Sequence, residues 1–307
     1  MHRKVYAIGE TVLDVIFKDN AVQGAIPGGS MLNSAVSLGR AGIYVSLITE
    51  VAKDQTGAIV ESFLNHNNIH TNLIYKHSDG KTAIALAFLS TTNDASYVFY
   101  KNHPAERLKI EVPEFTSDDI LLFGSYYSID PALRQILLPI VLKAKQSGCL
   151  VVYDPNFRKP HSGQLERLRP YVMENISMAD VVRGSDEDFA NIFGVDSIDR
   201  VREVLGDRVP VVIVTKSSKW VYFSACGKTL QFPVQQLTPI STIGAGDNFN
   251  AGIIYGIINQ RVNNKNLLAL NHENWNKILS YGVNFASDVC MSYENYISVE
   301  FAKNLRV

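Results

Sequence analysis

Short apolar runs, each bounded by polar residues and separated by helix-period segments, constrain this chain most. Residues 5–8, 120–123, 150–153 and 211–214 are continuous apolar runs of strand length, and 45–48 is one broken only by Ser46, the pattern of strands buried on both faces of a parallel sheet. Between them lie helical patterns. The clearest has Leu133, Ile136, Leu137, Ile140, Val141 and Ala144 on one face, with Pro139 inside it as an expected kink. Strands alternating with helices predict an α/β fold, a three-layer α/β/α sandwich.

Two regions break that rhythm. Residues 82–89 and 96–100 read as a hairpin around the polar turn Thr91-Thr92-Asn93-Asp94, and residues 12–22 offer further strand. Together they predict a small β-sheet lid, although an extra hairpin with no role at a site has the same pattern. The Asn-rich stretches 263–266 and 271–276 read as a surface connection between helices.

The 307 residues are 46% hydrophobic, enough for a sizeable core, and one domain spanning 1–307 is expected. Net charge is −1 and the cations are scattered, which argues against nucleic-acid and anionic-membrane partners. Small-molecule chemistry is the better expectation. Cys149, Cys226 and Cys290 are far apart and form neither a metal spacing nor a disulfide framework. With no signal-like or membrane-length apolar stretch, a cytoplasmic location is expected.

The chemistry concentrates at Thr242-Ile243-Gly244-Ala245-Gly246-Asp247, which runs into Phe249, Gly252, Ile253 and Gly256 at helical spacing. A glycine-rich turn feeding a helix N-terminus lets backbone N–H groups approach an anion, and phosphate is the natural guest. A carboxylate there repels phosphate, so Asp247 makes sense as a base acting on an incoming hydroxyl. It makes equal sense as a helix cap. Gly28-Gly29-Ser30 precedes a helix expected over 31–41 with Asn33 in its first turn, a donor and acceptor suited to a polyol. A polar residue at a helix start reads the same way. Asp14 follows the first strand, where α/β ligands gather.

The order Gly9-Glu10 with Asp14, Gly28-Gly29 with Asn33, Asp154-Pro155-Asn156-Phe157-Arg158, and Gly244-Ala245-Gly246-Asp247 resembles the ribokinase-like (PfkB-type) carbohydrate kinase family over nearly the whole chain. Fructokinases are the most similar members, on Phe123-Gly124-Ser125, Asp154-Pro155-Asn156 with Arg158, and Pro104-Ala105-Glu106. The resemblance implies a core sheet flanked by helices, with lid segments near 11–27 and 81–103. It implies transfer of the ATP γ-phosphoryl group to a hydroxymethyl group of a small sugar. Asp14, Gly28, Gly29 and Asn33 would hold the sugar, Asp247 would catalyse, and Gly244, Ala245 and Gly246 would form the anion hole. Arg158 would contact sugar or phosphate, or pair with a surface acid.

Thr215, Lys216, Ser217, Gly244 and Gly246 would border the nucleotide. Magnesium would arrive with ATP, its waters ordered by Glu187 and Asp188, unless these acids merely begin a helix. Lids of this family often pair between subunits, so a homodimer through the lid is expected. Two departures stand out. Ser241 occupies a place where relatives carry the Asp that helps hold a monovalent cation, which puts potassium activation in doubt. Lys216-Ser217-Ser218-Lys219 replaces a glycine-containing turn beside the nucleotide. Fructose is the expected acceptor; ribose, 2-keto-3-deoxygluconate or a nucleoside are alternatives, as is a sugar-binding protein that has lost catalysis.

Overall fold

The computed structural model describes residues 3–90, 95–157, 163–216, 219–234 and 236–305. Arg158, Ser217 and the turn 91–94 lie outside the described residues.

The chain opens with β1 (Lys4–Ile8), β2 (Val12–Lys18), β3 (Ala21–Gly28), α1 (Ser30–Arg40), β4 (Tyr44–Ala52) and α2 (Gln55–His66). There follow β5 (Ile69–His70), β6 (Ile74–His77), β7 (Lys81–Leu89), β8 (Ala95–Asn102), β9 (Ile120–Gly124), α3 (Pro131–Gln146), β10 (Leu150–Asp154) and α4 (Leu165–Met178). The remainder is β11 (Val181–Ser185), α5 (Asp186–Phe193), α6 (Ile198–Leu205), β12 (Val211–Lys216), β13 (Trp220–Ala225), β14 (Lys228–Pro233), α7 (Ala245–Asn259), α8 (His272–Val289) and α9 (Val299–Leu305).

The main sheet runs β14-β13-β12-β11-β10-β9-β1-β4-β5, with β6 also on β4. Pairing is parallel from β12 through β4 to β5 and β6, and antiparallel for the β12–β13–β14 edge. Period-two geometry divides each apolar run between two cores. Val5 and Ala7 of β1 pack with α1, α7 and α8, whereas Tyr6 and Ile8 pack with α3 and α4 on the opposite face. Ile120 and Leu122 against Leu121 and Phe123 in β9 repeat the division. Hence these strands read as unbroken apolar runs, and the sandwich has the three layers expected. Helix α3 continues through Pro139.

The second sheet, in order β3-β2-β7-β8, is the expected small β-sheet. Its sequence reading missed one turn. The single run expected over 12–22 is two strands, folded back at Asp19 and Asn20, whose φ values of 51° and 61° suit a tight hairpin turn. The second Asn-rich stretch is also not a connection: Asn271 and Asn274 form a reciprocal capping box that starts α8. No described helix is long and apolar enough to cross a membrane.

Candidate active site

The carboxyl ends of β1, β9, β10, β11 and β12 lie along one edge of the sheet, beside the N-termini of α1 and α7. At α1 the chain enters through Gly28 and Gly29. A Cβ on Gly28 would sit 1.9 Å from Asp14 Oδ2, so a side chain there would displace the carboxylate. Gly29 is the N-cap, with φ of 129° and no side-chain cap bond.

Helix α7 starts at Gly244, whose φ of 75° is left-handed and glycine-favouring. Ala245, Gly246 and Asp247 form its first turn, where N–H groups lack intrahelical acceptors. Asp247 does not cap this helix. Its Oδ1 accepts from Ser30 Oγ at 2.6 Å, and its Oδ2 from Asn33 Nδ2 at 2.8 Å. Both donors belong to α1. Ser34 Oγ donates to the Asp247 carbonyl at 2.7 Å, and the Ser37 hydroxyl donates to Asn248 Oδ1. Residues 30, 33, 34 and 37 share one helix face, so α1 offers a polar seam to the start of α7.

Asp14 joins this group through the C-terminal segment. Asn295 Nδ2 donates to Asp14 Oδ2 at 3.2 Å, and the Asn295 carbonyl accepts from Asn248 Nδ2 at 2.8 Å. Burial pushes the Asp14 carboxyl up to about 7, against the Asn295 hydrogen bond and with help from the charge of Asp247. Two side-chain oxygens here, Asn33 Oδ1 and Asn295 Oδ1, are buried without a hydrogen-bond partner. Leaving such an atom unpaired costs about 1–3 kcal/mol, which a ligand hydroxyl would offset.

A second network lies under the glycine turn. Arg183 donates from Nη1 to Asp154 Oδ2 at 3.1 Å and from Nη2 to Thr215 Oγ1 at 2.6 Å. Its Nη1 is 2.9 Å from where a Gly246 Cβ would lie, and its guanidinium lies over the Phe249 ring. Asp154 also accepts from Asn250 Nδ2 and the Asn156 N–H. Burial pushes its carboxyl up to about 6, with the Arg183 charge the main opposing influence.

Asp14, Gly28, Gly29, Asn33, Asp247 and the Gly244–Gly246 turn are thus brought together. Thr215 reaches the group through Arg183; Lys216 stands at the end of β12, opposite Trp220 in register. Glu187 and Asp188 behave differently from the expected pair. Asp188 is buried, accepting at Oδ2 from the Ser185 N–H and hydroxyl and at Oδ1 from the Phe157 N–H. It is half of a capping box at the start of α5, and Glu187 is exposed. The two acids thus differ: three donors of the fold converge on the Asp188 carboxylate, whereas Glu187 is exposed. Among the described residues no cluster of three or more His, Cys, Asp or Glu could hold a metal directly. Ser241 is buried and its Oγ accepts from the Ile243 N–H at 3.2 Å.

Sequence reading missed Ser30, Arg183 and Asn295. A signal existed for the first: Ser30, Asn33, Ser34 and Ser37 recur at helical spacing in an otherwise apolar helix. Arg183 and Asn295 carry no local signal, since each acts across the fold.

Above this edge stands the small sheet. Lys101, at the end of β8, pairs with Glu10 after β1 at 2.7 Å, joining sheet to core.

The description "pfkB family carbohydrate kinase" matches residues 2–300. A fructokinase of Vibrio alginolyticus is 25% identical over 256 residues, covering 82% of this chain and 83% of that one. A 5-dehydro-2-deoxygluconokinase of Geobacillus kaustophilus is 28% identical over 246 residues, covering 76% and 72%. The fructokinase of Vibrio cholerae O395, solved with fructose, ADP and a calcium ion, superposes with a TM-score of 0.82 at 19% identity, covering 99% of this chain and 98% of that one. The fold is therefore the ribokinase-like one that the sequence resemblance implies. With the motifs in order, the sheet edge assembled and a family match across almost its full length, the chain belongs to the pfkB family of carbohydrate kinases, phosphotransferases that act on a sugar hydroxyl.

Proposed function

We propose that the chain is a fructokinase, moving the γ-phosphoryl group of ATP to a primary hydroxyl of fructose. The observation that carries this reading is the carboxylate of Asp247, buried at the first turn of α7 and held by Ser30 and Asn33 of α1. The names of similar proteins supply the sugar: several are fructokinases.

Asp14 and the unpartnered oxygen of Asn33 grip acceptor hydroxyls. Gly28 and Gly29 let the sugar lie close to the backbone. As the acceptor oxygen bonds to the γ-phosphorus, its proton passes to Asp247, the bond to the β-phosphate oxygen breaks and ADP leaves. The N–H groups of the Gly244–Gly246 turn and the α7 dipole stabilise the charge on the transferring group. Arg183, below Gly246, adds a fixed positive charge to that anion hole. Thr215 and Lys216, at the end of β12, border the nucleotide.

Magnesium enters on the ATP phosphates as part of the substrate and keeps most of its waters. Of the two acids expected to order those waters, Glu187 is the one exposed for it. Potassium is not required in this reading, because the Ser241 hydroxyl serves the turn itself. The protein works as a dimer joined through the small sheet.

A panel of fructose, ribose, 2-keto-3-deoxygluconate and a nucleoside, assayed for ADP release with and without potassium, tests the proposal. Fructose should give the highest kcat/KM with no potassium requirement. A second acceptor outperforming fructose would reassign the substrate, in line with the relative named for 5-dehydro-2-deoxygluconate.

A further inference from the structure

Asp247 has two oxygens and a rotatable side chain, so its usefulness as a base depends on what fixes the carboxylate. Asn33 holds Oδ2, and Ser34 holds the carbonyl of the same residue. Neither bond fixes Oδ1. That oxygen receives the hydroxyl of Ser30 at 2.6 Å, from the first residue of α1.

We propose that Ser30 is a positioning residue for Asp247: its hydroxyl donates to Oδ1 and holds the carboxylate plane at the angle from which it meets the acceptor hydroxyl. This rests on the reading of Asp247 as the base. Each carboxylate oxygen has lone-pair sites beyond the one Ser30 or Asn33 occupies, so the bond orients the base without using it up. Ser30 keeps its proton throughout; the proton that moves is the acceptor's, from sugar oxygen to Asp247.

Ser34 and Ser37 hold the two helices together through the Asp247 carbonyl and the Asn248 amide. Loss of the Ser30 hydroxyl therefore leaves the seam standing and frees only one carboxylate oxygen. A misplacement of 1 Å in a catalytic group costs roughly 10²-fold. With Asn33 still in place, the loss for Ser30→Ala should be smaller, about 10-fold in kcat.

The test is a double-mutant cycle on ADP release with the best acceptor of the panel: parent, Ser30→Ala, Asp247→Asn and the pair, with Ser30→Thr as a hydroxyl-retaining control. The expected result is a kcat loss for Ser30→Ala with KM for sugar and ATP unchanged, recovery in Ser30→Thr, and little further loss when Ser30→Ala is added to Asp247→Asn. Parental turnover in Asp247→Asn would sink the base reading itself. A deep loss in Asp247→Asn together with parental kcat in Ser30→Ala would overturn the Ser30 proposal alone. So would an equal loss from Ser30→Ala in both backgrounds, or a loss confined to sugar KM, which would make Ser30 a substrate contact.

Discussion

Asp14 is a carboxyl whose usual value near 3.8 is pushed up to about 7 by burial, in a place where an ionised acceptor grips hydroxyls best. The folded chain therefore holds a proton on Asp14 that the unfolded chain has lost once pH passes about 4. Its contribution to stability falls as pH rises from about 4 to 7 and is flat above that. Sugar affinity should move the other way, strengthening as pH rises from about 6 to 8 and the carboxylate forms. Calorimetric titration with fructose across that range, beside thermal melts of the free protein, reads both trends. Asp14→Asn should flatten the affinity profile, weaken binding by about 1.5–3 kcal/mol above pH 8 and leave ATP affinity unchanged. An unchanged sugar affinity in that variant would remove Asp14 from the site. Asp14, Asn33 and Asp247 were visible in the sequence because each sits beside a glycine pair or strand end that announces a ligand. Asn295 was not, because its role comes from a contact 281 residues away in the chain.

At the level of the elements, α5 separates a structural acid from an exposed one. Asp188 binds Ser185 in a capping box and ties the loop after β10 to α5 through the Phe157 N–H. Asp188→Ala should cost about 1–3 kcal/mol of stability, as a lost cap and an unpaired buried N–H would. Glu187→Gln should cost less stability than Asp188→Ala and raise the magnesium concentration needed for half-maximal rate. Urea unfolding of both variants, with magnesium titrations of their rates, distinguishes them; equal stability losses would contradict this division. The sequence contained the Ser185–Asp188 spacing of a capping box, yet the acidic cluster dominated the reading. Elements buried on both faces were legible because apolar runs leave little choice of register or role. The Asp19–Asn20 turn was not, because neither residue is a glycine, though both adopt the positive φ that Asn and Asp tolerate. The start of α8 was masked by its Asn content, which serves a cap rather than a loop.

For the whole molecule, the small sheet has two unlike faces. Asp14, Val12 and Lys101 lie on the face towards the core. By register, Val15, Phe17, Leu86, Phe88, Val98 and Tyr100 share the opposite face, where Phe88, Val98 and Tyr100 are exposed and Phe17 stacks on Phe88. An apolar sheet face of this kind suits a second copy of the chain. Sedimentation should give a dimer for the parent and a monomer for Phe88→Glu; a monomeric parent would refute this assembly. Fold class and the order of the motifs were readable because they are local patterns, while the contacts of Arg183 and Asn295 were not, because they join segments far apart in the chain. The central claim remains that Asp247 is the base of a sugar kinase, and turnover of Asp247→Asn tests it most directly. The Asn side chain keeps size and can still accept from Ser30 or Asn33, so stability should stay near parental while kcat falls about 10²–10⁴-fold, the range of general base catalysis. Near-parental turnover in the folded variant would contradict the account.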